Sequence, residues 1–202
     1  SISYNLSQVV STSIIAILGV AAISTKIYVS NIVFYVYVFG MSLGLSTSLM
    51  IGWLAGAGKY EQAYRLNLQN LKLTISANVM LSFLIFLLAE PLLGCFTTDP
   101  QIISMGRHLM LIDILVEIGR GFNHVEENSL RGAGDVVYPM AVSMISCWTM
   151  SILFSYILGI RMGLGLTGCW IAFAMDEFFR GTAYLIRWRS RKWTTKTVAV
   201  HA

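Results

Sequence analysis

Charge is the first thing this sequence lacks. Lys and Arg number 14 and Asp and Glu 10, together 12% of 202 residues, where globular chains carry about 25%. Hydrophobic residues make up 56%, which excludes a disordered chain and an ordinary soluble enzyme, since a soluble domain of this composition would expose large apolar patches. Cysteine is scarce as well. Cys95, Cys147 and Cys169 are far apart and form no CxxC pair, so neither a disulfide framework nor a zinc site is expected, and all three read as packing residues. No HExxH, GxSxG or Ser-His-Asp order occurs, which leaves an enzyme reading without a nucleophile. The two Gly-Ala-Gly turns lack the GxxxxGK[ST] spacing of a phosphate loop, so no nucleotide is expected. The chain opens on Ser1-Ile-Ser-Tyr4 with no charged segment before its first apolar run. No secretory signal is visible there, and the chain reads as part of a longer one.

What is present is a series of apolar runs of membrane-spanning length, about 20 residues each. They predict an all-α integral membrane protein of six helices, at about 2–18, 27–54, 71–89, 102–130, 137–160 and 166–186, in a domain covering 1–186. Residues 187–202 form a basic tail. The breaks between runs carry turn chemistry, among them Ala55-Gly-Ala-Gly58, Glu90-Pro91 through Asp99-Pro100, and Arg131-Gly-Ala-Gly-Asp135. The net charge of +4 does not point to nucleic acid, because the basic residues lie between apolar runs rather than in one patch. Lys59, Arg65, Lys72 and Arg131 occupy one set of connections, and Arg187, Arg189, Arg191, Lys192 and Lys196 the tail. The alternate connections hold only Lys26, Arg107 and Arg161. Excess Lys and Arg marks cytoplasmic loops, so the Gly58 turn, the Gly134 turn and the C-terminus are expected in the cytoplasm.

The fourth segment carries the polar chemistry. At helical spacing Asp113, Glu117, Arg120, His124, Glu127 and Arg131 share a stripe about 80° wide. The other face reads Leu111, Leu115, Ile118, Phe122 and Val125. Ionisable groups near the bilayer centre cost about 2.5–3.5 kcal/mol each on insertion scales, so they face protein or water. Glu117 pairs with Arg120 at i,i+3, and Arg120 faces His124 at i,i+4. The stripe predicts a wet cavity; a static ion-pair ladder is the alternative. Glu127 and Arg131 read as solvated, near the cytoplasmic surface. Weaker polar faces carry Tyr4, Gln8 and Ser11 in the first segment, Asn31 and Tyr35 in the second, and Asn67, Thr74 and Asn78 in the third. Together they suit a shared polar interior. Gly40, Gly44, Ser48, Gly52 and Gly56 form a ridge of small residues along the second segment, on which another backbone can approach closely. Asp176, Glu177 and Arg180 read as a structural cluster near the cytoplasmic end.

Five motifs, in order along nearly the whole chain, resemble one family. Gly52-Trp-Leu-Ala-Gly-Ala-Gly-Lys-Tyr-Glu-Gln-Ala-Tyr-Arg65 is similar to a cytoplasmic loop of the multidrug and toxin extrusion (MATE) transporters, and Phe96-Thr-Thr-Asp-Pro100 to an outer loop. Ile118-Gly-Arg-Gly-Phe-Asn123 with Ser129-Leu-Arg-Gly-Ala-Gly-Asp135, and Gly163-Leu-Gly-Leu-Thr-Gly-Cys-Trp170 with Asp176-Glu-Phe-Phe-Arg180, resemble the fourth and last helices of a lobe. The resemblance implies one six-helix lobe of a twelve-helix transporter, the C-terminal one with its first helix truncated. It further implies export of organic, often cationic compounds in exchange for Na+ or H+, in the plasma membrane. Expected partners are membrane lipid, the N-terminal lobe and small organic cations, with no cofactor beyond the coupling ion. Some members carry an Asp at the position of Arg120, so here Glu117 supplies the charge and Arg120 holds it, with Asn123, His124 and Asp113 lining the cavity beside Tyr4, Gln8, Asn31 and Tyr35. Rival readings are a lipid-linked saccharide flippase, which needs a larger and more basic cavity, and a non-transporting scaffold, whose stripe would be fully paired and dry.

Overall fold

The computed structural model describes residues 2–196, apart from the side chains of residues 2–5 and 8. The helices are α1 (Ile2–Ile17), α2 (Val20–Gly56), α3 (Tyr60–Leu87), the short α4 (Ala89–Gly94), α5 (Pro100–Gly132), α6 (Val137–Ser146) and α7 (Gly165–Arg189). From α6 the chain continues through two π-helical stretches, Cys147–Leu153 and Ser155–Arg161, and a 3-10 turn, Lys192–Thr195, follows α7.

All six expected segments are helical, but two begin well before their apolar runs. The second starts at Val20 rather than Ile27, and the third at Tyr60 rather than Leu71. Apolar composition reports only the stretch that lipid selects, whereas backbone hydrogen bonding carries a helix on into water. At 37 residues, α2 is about 55 Å long, well beyond the about 30 Å of a bilayer core. The short α4 fills part of what reads as a loop.

The turns follow their residues. Asp99 caps α5: its Oδ1 accepts from the Gln101 N–H at 2.9 Å, and Pro100 takes the first helical position, where a missing N–H costs nothing. Both Ala-Gly turns close helices by the same bonds. At the end of α2 the Lys59 N–H donates to the Leu54 carbonyl at 2.8 Å and Gly58 N–H to Ala55 at 3.0 Å. At the end of α5 the Asp135 N–H donates to Leu130 at 2.9 Å and Gly134 N–H to Arg131 at 3.0 Å. Gly58 and Gly134 sit at φ 72° and 92°, the left-handed position that this helix stop requires.

The bundle is organised around α5, which packs on α2, α3 and α7. The α2 ridge makes this possible: a Cβ at Gly44 would collide with the His124 carbonyl, and one at Gly52 would lie 3.3 Å from the Gly132 carbonyl oxygen. Gly56, expected as the last step of the ridge, faces nothing within 4 Å. Two apolar clusters lie toward opposite ends of the bundle. One gathers Ile15, Val29, Leu93, Leu109, Met110 and Trp170, the other Ile51, Ala55, Leu130, Tyr184, Trp188 and Trp193. Large apolar side chains also cover the outside, with Tyr35, Trp53, Met80, Val137 and Ile145 all exposed, as expected of a surface meant for lipid rather than water. Helices α2 and α3, and the helical run Val137–Arg161, are long and apolar enough to cross a membrane. The Gly58 turn, the Gly134 turn, the basic end of α7 and the segment after it meet at one end: Arg191 pairs with Glu61 at 2.8 Å and Arg187 with Asp135 at 2.7 Å. No cysteine pairs with another; Cys169 is buried, Cys147 half-buried and Cys95 exposed.

Candidate functional site

Between the two apolar clusters lies a polar layer built by α2, α3, α5 and α7. Glu117 is fully buried and ion-pairs with Arg120 one turn on. Its second oxygen accepts from the Asn78 amide of α3 at 3.1 Å. The Arg120 Nε lies 3.7 Å from Glu177 Oε1 of α7. Glu177 also accepts from the Asn123 amide and pairs with Arg180 at 3.0 Å, and Arg180 holds Asp176 at 2.8 Å. The Ser146 hydroxyl donates to the other oxygen of Asp176. Asp113, one turn before Glu117, accepts from the Trp170 indole N–H at 3.0 Å, and its other oxygen has no hydrogen-bond partner among the described residues.

Close backbone approach creates the layer. A Cβ at Gly119 would lie 2.8 Å from the Glu177 Cβ, and one at Gly181 would lie 2.6 Å from the Phe122 Cβ. These two glycines let α5 and α7 come near enough for Arg120 to reach across. Asp176, Glu177 and Arg180 are therefore not a separate cluster at the cytoplasmic end, as their position near a basic tail suggests. They continue the Glu117–Arg120 pair, because α7 runs alongside α5 at this level.

Of the nine candidate residues, the structure brings together Glu117, Arg120, Asn123, Asp113 and His124. The half-buried His124 makes no ion pair among the described residues. Its ring stands edge-on to Tyr37 of α2 at 5.1 Å, and the Arg120 guanidinium lies over the same Tyr37 ring at 5.5 Å. Asn31 and Tyr35 are exposed and do not join the buried layer. The contribution of α2 is Tyr37, one turn before Gly40 on the ridge; the ridge itself marked the face that meets α5, and Tyr37 stands on it. Tyr4 and Gln8 lie outside the described side chains, while Ser11 on their face is buried. Asn67, Thr74 and Asn78 are all buried on the α3 face toward α5, as their spacing suggests. Glu127 pairs with Arg131 at 2.6 Å at the half-exposed end of the stripe.

The α5 face expected to be apolar is not so throughout. Glu126 lies on that side and is fully buried against Asn67 of α3. Leu111, Leu115 and Phe122 dominate the average, and only pairing 126 with the Asn67 face of α3 could have exposed it.

Counting formal charges, the layer sets Asp113, Glu117, Asp176 and Glu177 against Arg120 and Arg180. Two carboxylates exceed the guanidiniums, and a buried uncompensated carboxylate is held only by a proton, a cation or an added donor. The arrangement is thus mostly an ion-pair ladder, with a surplus of acid that can take up positive charge.

Comparison with known proteins places this architecture. Residues 1–157 match the family model MatE. The chain is 38% identical over 198 residues to the uncharacterized transporter YisQ of Bacillus subtilis, covering 98% of this chain and 44% of that one. It is 32% identical over 160 residues to the probable multidrug resistance protein NorM of Thermotoga maritima, covering 79% and 34%. The fold matches the bent form of the Vibrio cholerae MATE transporter VcmN with a TM-score of 0.84 at 21% identity, over 98% of this chain and 44% of that one. The chain spans less than half the length of these relatives. Its sequence and its helical architecture together make it a member of the MATE family of membrane transporters.

Proposed function

We propose that this chain is the C-terminal lobe of a cation-coupled antiporter that exports organic, often cationic compounds in exchange for Na+ or H+. The observation that carries this reading is the surplus of two buried carboxylates around Arg120 and Arg180. A coupling cation and an organic cation compete for that negative charge, and each favours a different opening of the two lobes. Glu117 is the exchanging group, Arg120 limits how strongly it holds a cation, and Asp113 supplies a second carboxylate one turn away. Asn123 and His124, with Asn31 and Tyr35 of α2 and with Tyr4 and Gln8, line the cavity that the N-terminal lobe completes. An acidic layer suits neither the anionic cargo of a saccharide-lipid flippase nor a dry scaffold with every charge paired.

The protein sits in the plasma membrane with its basic C-terminal segment in the cytoplasm, following the Lys and Arg asymmetry. The test is efflux of a fluorescent cation from vesicles under an imposed proton or sodium gradient. Glu117→Gln in the complete transporter keeps the fold and loses ion-driven efflux; gradient-driven efflux at the wild-type rate in that variant would reduce Glu117 to a member of a structural ladder.

A further inference from the structure

Glu126 takes no part in the layer described above, yet it is among the most deeply buried side chains of the protein. It lies on the other side of α5, between α5 and α3. The Asn67 amide Nδ2 donates to Glu126 Oε2 at 3.3 Å and to the Ser129 hydroxyl at 2.9 Å. Glu126 Oε1 and Asn67 Oδ1 have no hydrogen-bond partner among the described residues. Two buried acceptors are therefore left without a donor, and one amide group serves both Glu126 and Ser129.

The charged groups nearby do not compensate. On α5 itself, Glu127 and Arg131 are taken up with each other at 2.6 Å. On α7, the Arg189 side chain is exposed to the outside. The α3 face offers Ala63, Asn67 and Leu71, all buried and uncharged. On α2, Thr47 accepts from Asn70 of α3 at 2.9 Å. An ionised carboxylate held by one amide N–H in such a place is far from compensated. A proton removes the charge and turns one orphaned acceptor into a donor.

We infer that Glu126, with Asn67 and Ser129, is a proton-binding site separate from the Glu117 layer. The proton holds α3 against α5. Its loss places a bare charge between two packed helices and loosens this contact while leaving the Glu117–Arg120–Glu177 ladder in place. The inference stands independently of the coupling role given to Glu117.

Infrared difference spectroscopy on the complete transporter in lipid nanodiscs, between neutral and alkaline buffer, reads this directly. A protonated-carboxyl band present at neutral pH is lost in Glu126→Gln and retained in Glu117→Gln. Asn67→Ala, which leaves the carboxyl itself in place, shifts the frequency of the same band. Absence of a Glu126-dependent carboxyl band from the difference spectrum would overturn the inference by showing that the group exchanges no proton. So would a band that sodium at constant pH abolishes, since the site would then hold a metal cation, or one that Asn67→Ala leaves unmoved.

Discussion

Arg120 of α5 stands between two acids on different helices, ion-paired with Glu117 on its own helix and 3.7 Å from Glu177 on α7. One guanidinium thereby ties the central helix to the last one in the middle of the polar layer. The contact exists because Gly119 and Gly181 remove the two Cβ atoms that would separate the backbones.

Removing Arg120 therefore costs more than neutralising Glu117. Arg120→Ala leaves buried carboxylates unpaired and is expected to destabilise by about 3–5 kcal/mol, the range for breaking one side of a buried pair. Glu117→Gln keeps the shape and the Asn78 contact and is expected to cost about 1–3 kcal/mol as a replaced buried hydrogen-bond partner. Thermal unfolding of the two variants in the same detergent checks the order.

The α2 ridge gives a test with an internal control. A Cβ at Gly44 collides with the His124 carbonyl, whereas Gly56 has open space. Gly44→Ala is expected to destabilise by about 1–3 kcal/mol through overpacking, and Gly56→Ala to change stability little. Equal thermal shifts for the two would show that the ridge is not a contact surface.

Much of this was legible in the residues, and the parts that were not share a cause. The six helices, their caps at Asp99, Gly58 and Gly134, and the stripe through Glu117 and Arg120 all follow from features local to one helix. Which side chains meet across helices does not. Glu177 looked like part of an end cluster because its own helix ends in basic residues, and its partner Arg120 is 57 positions away in sequence. Glu126 is hidden in the sequence because apolar residues outnumber it on its face of the helix. Tyr37 carries no signal of its own in the sequence: Asn31 and Tyr35 mark a different face of α2, and only the glycine ridge marks the face on which Tyr37 stands.

At the end where the basic segment lies, Trp193 is fully buried, stacked on Trp188 at 4.3 Å and edge-on to Tyr60 at 5.8 Å. Arg191 beside it pairs with Glu61, but both groups are about half exposed. Trp193→Ala is expected to cost about 3–5 kcal/mol from lost packing, and Arg191→Ala about 0–1 kcal/mol, as exposed pairs do. Comparing their unfolding midpoints decides whether packing or charge holds the segment down.

The central claim is that a coupling cation and an organic cation share the buried acid at Glu117. Its most direct measurement is the Kd of a fluorescent organic cation for the purified, complete transporter at rising proton and rising sodium concentration. The account predicts that the apparent Kd rises with one of the two ions in the wild type and is indifferent to both in Glu117→Gln. A wild-type Kd that neither ion moves would contradict it.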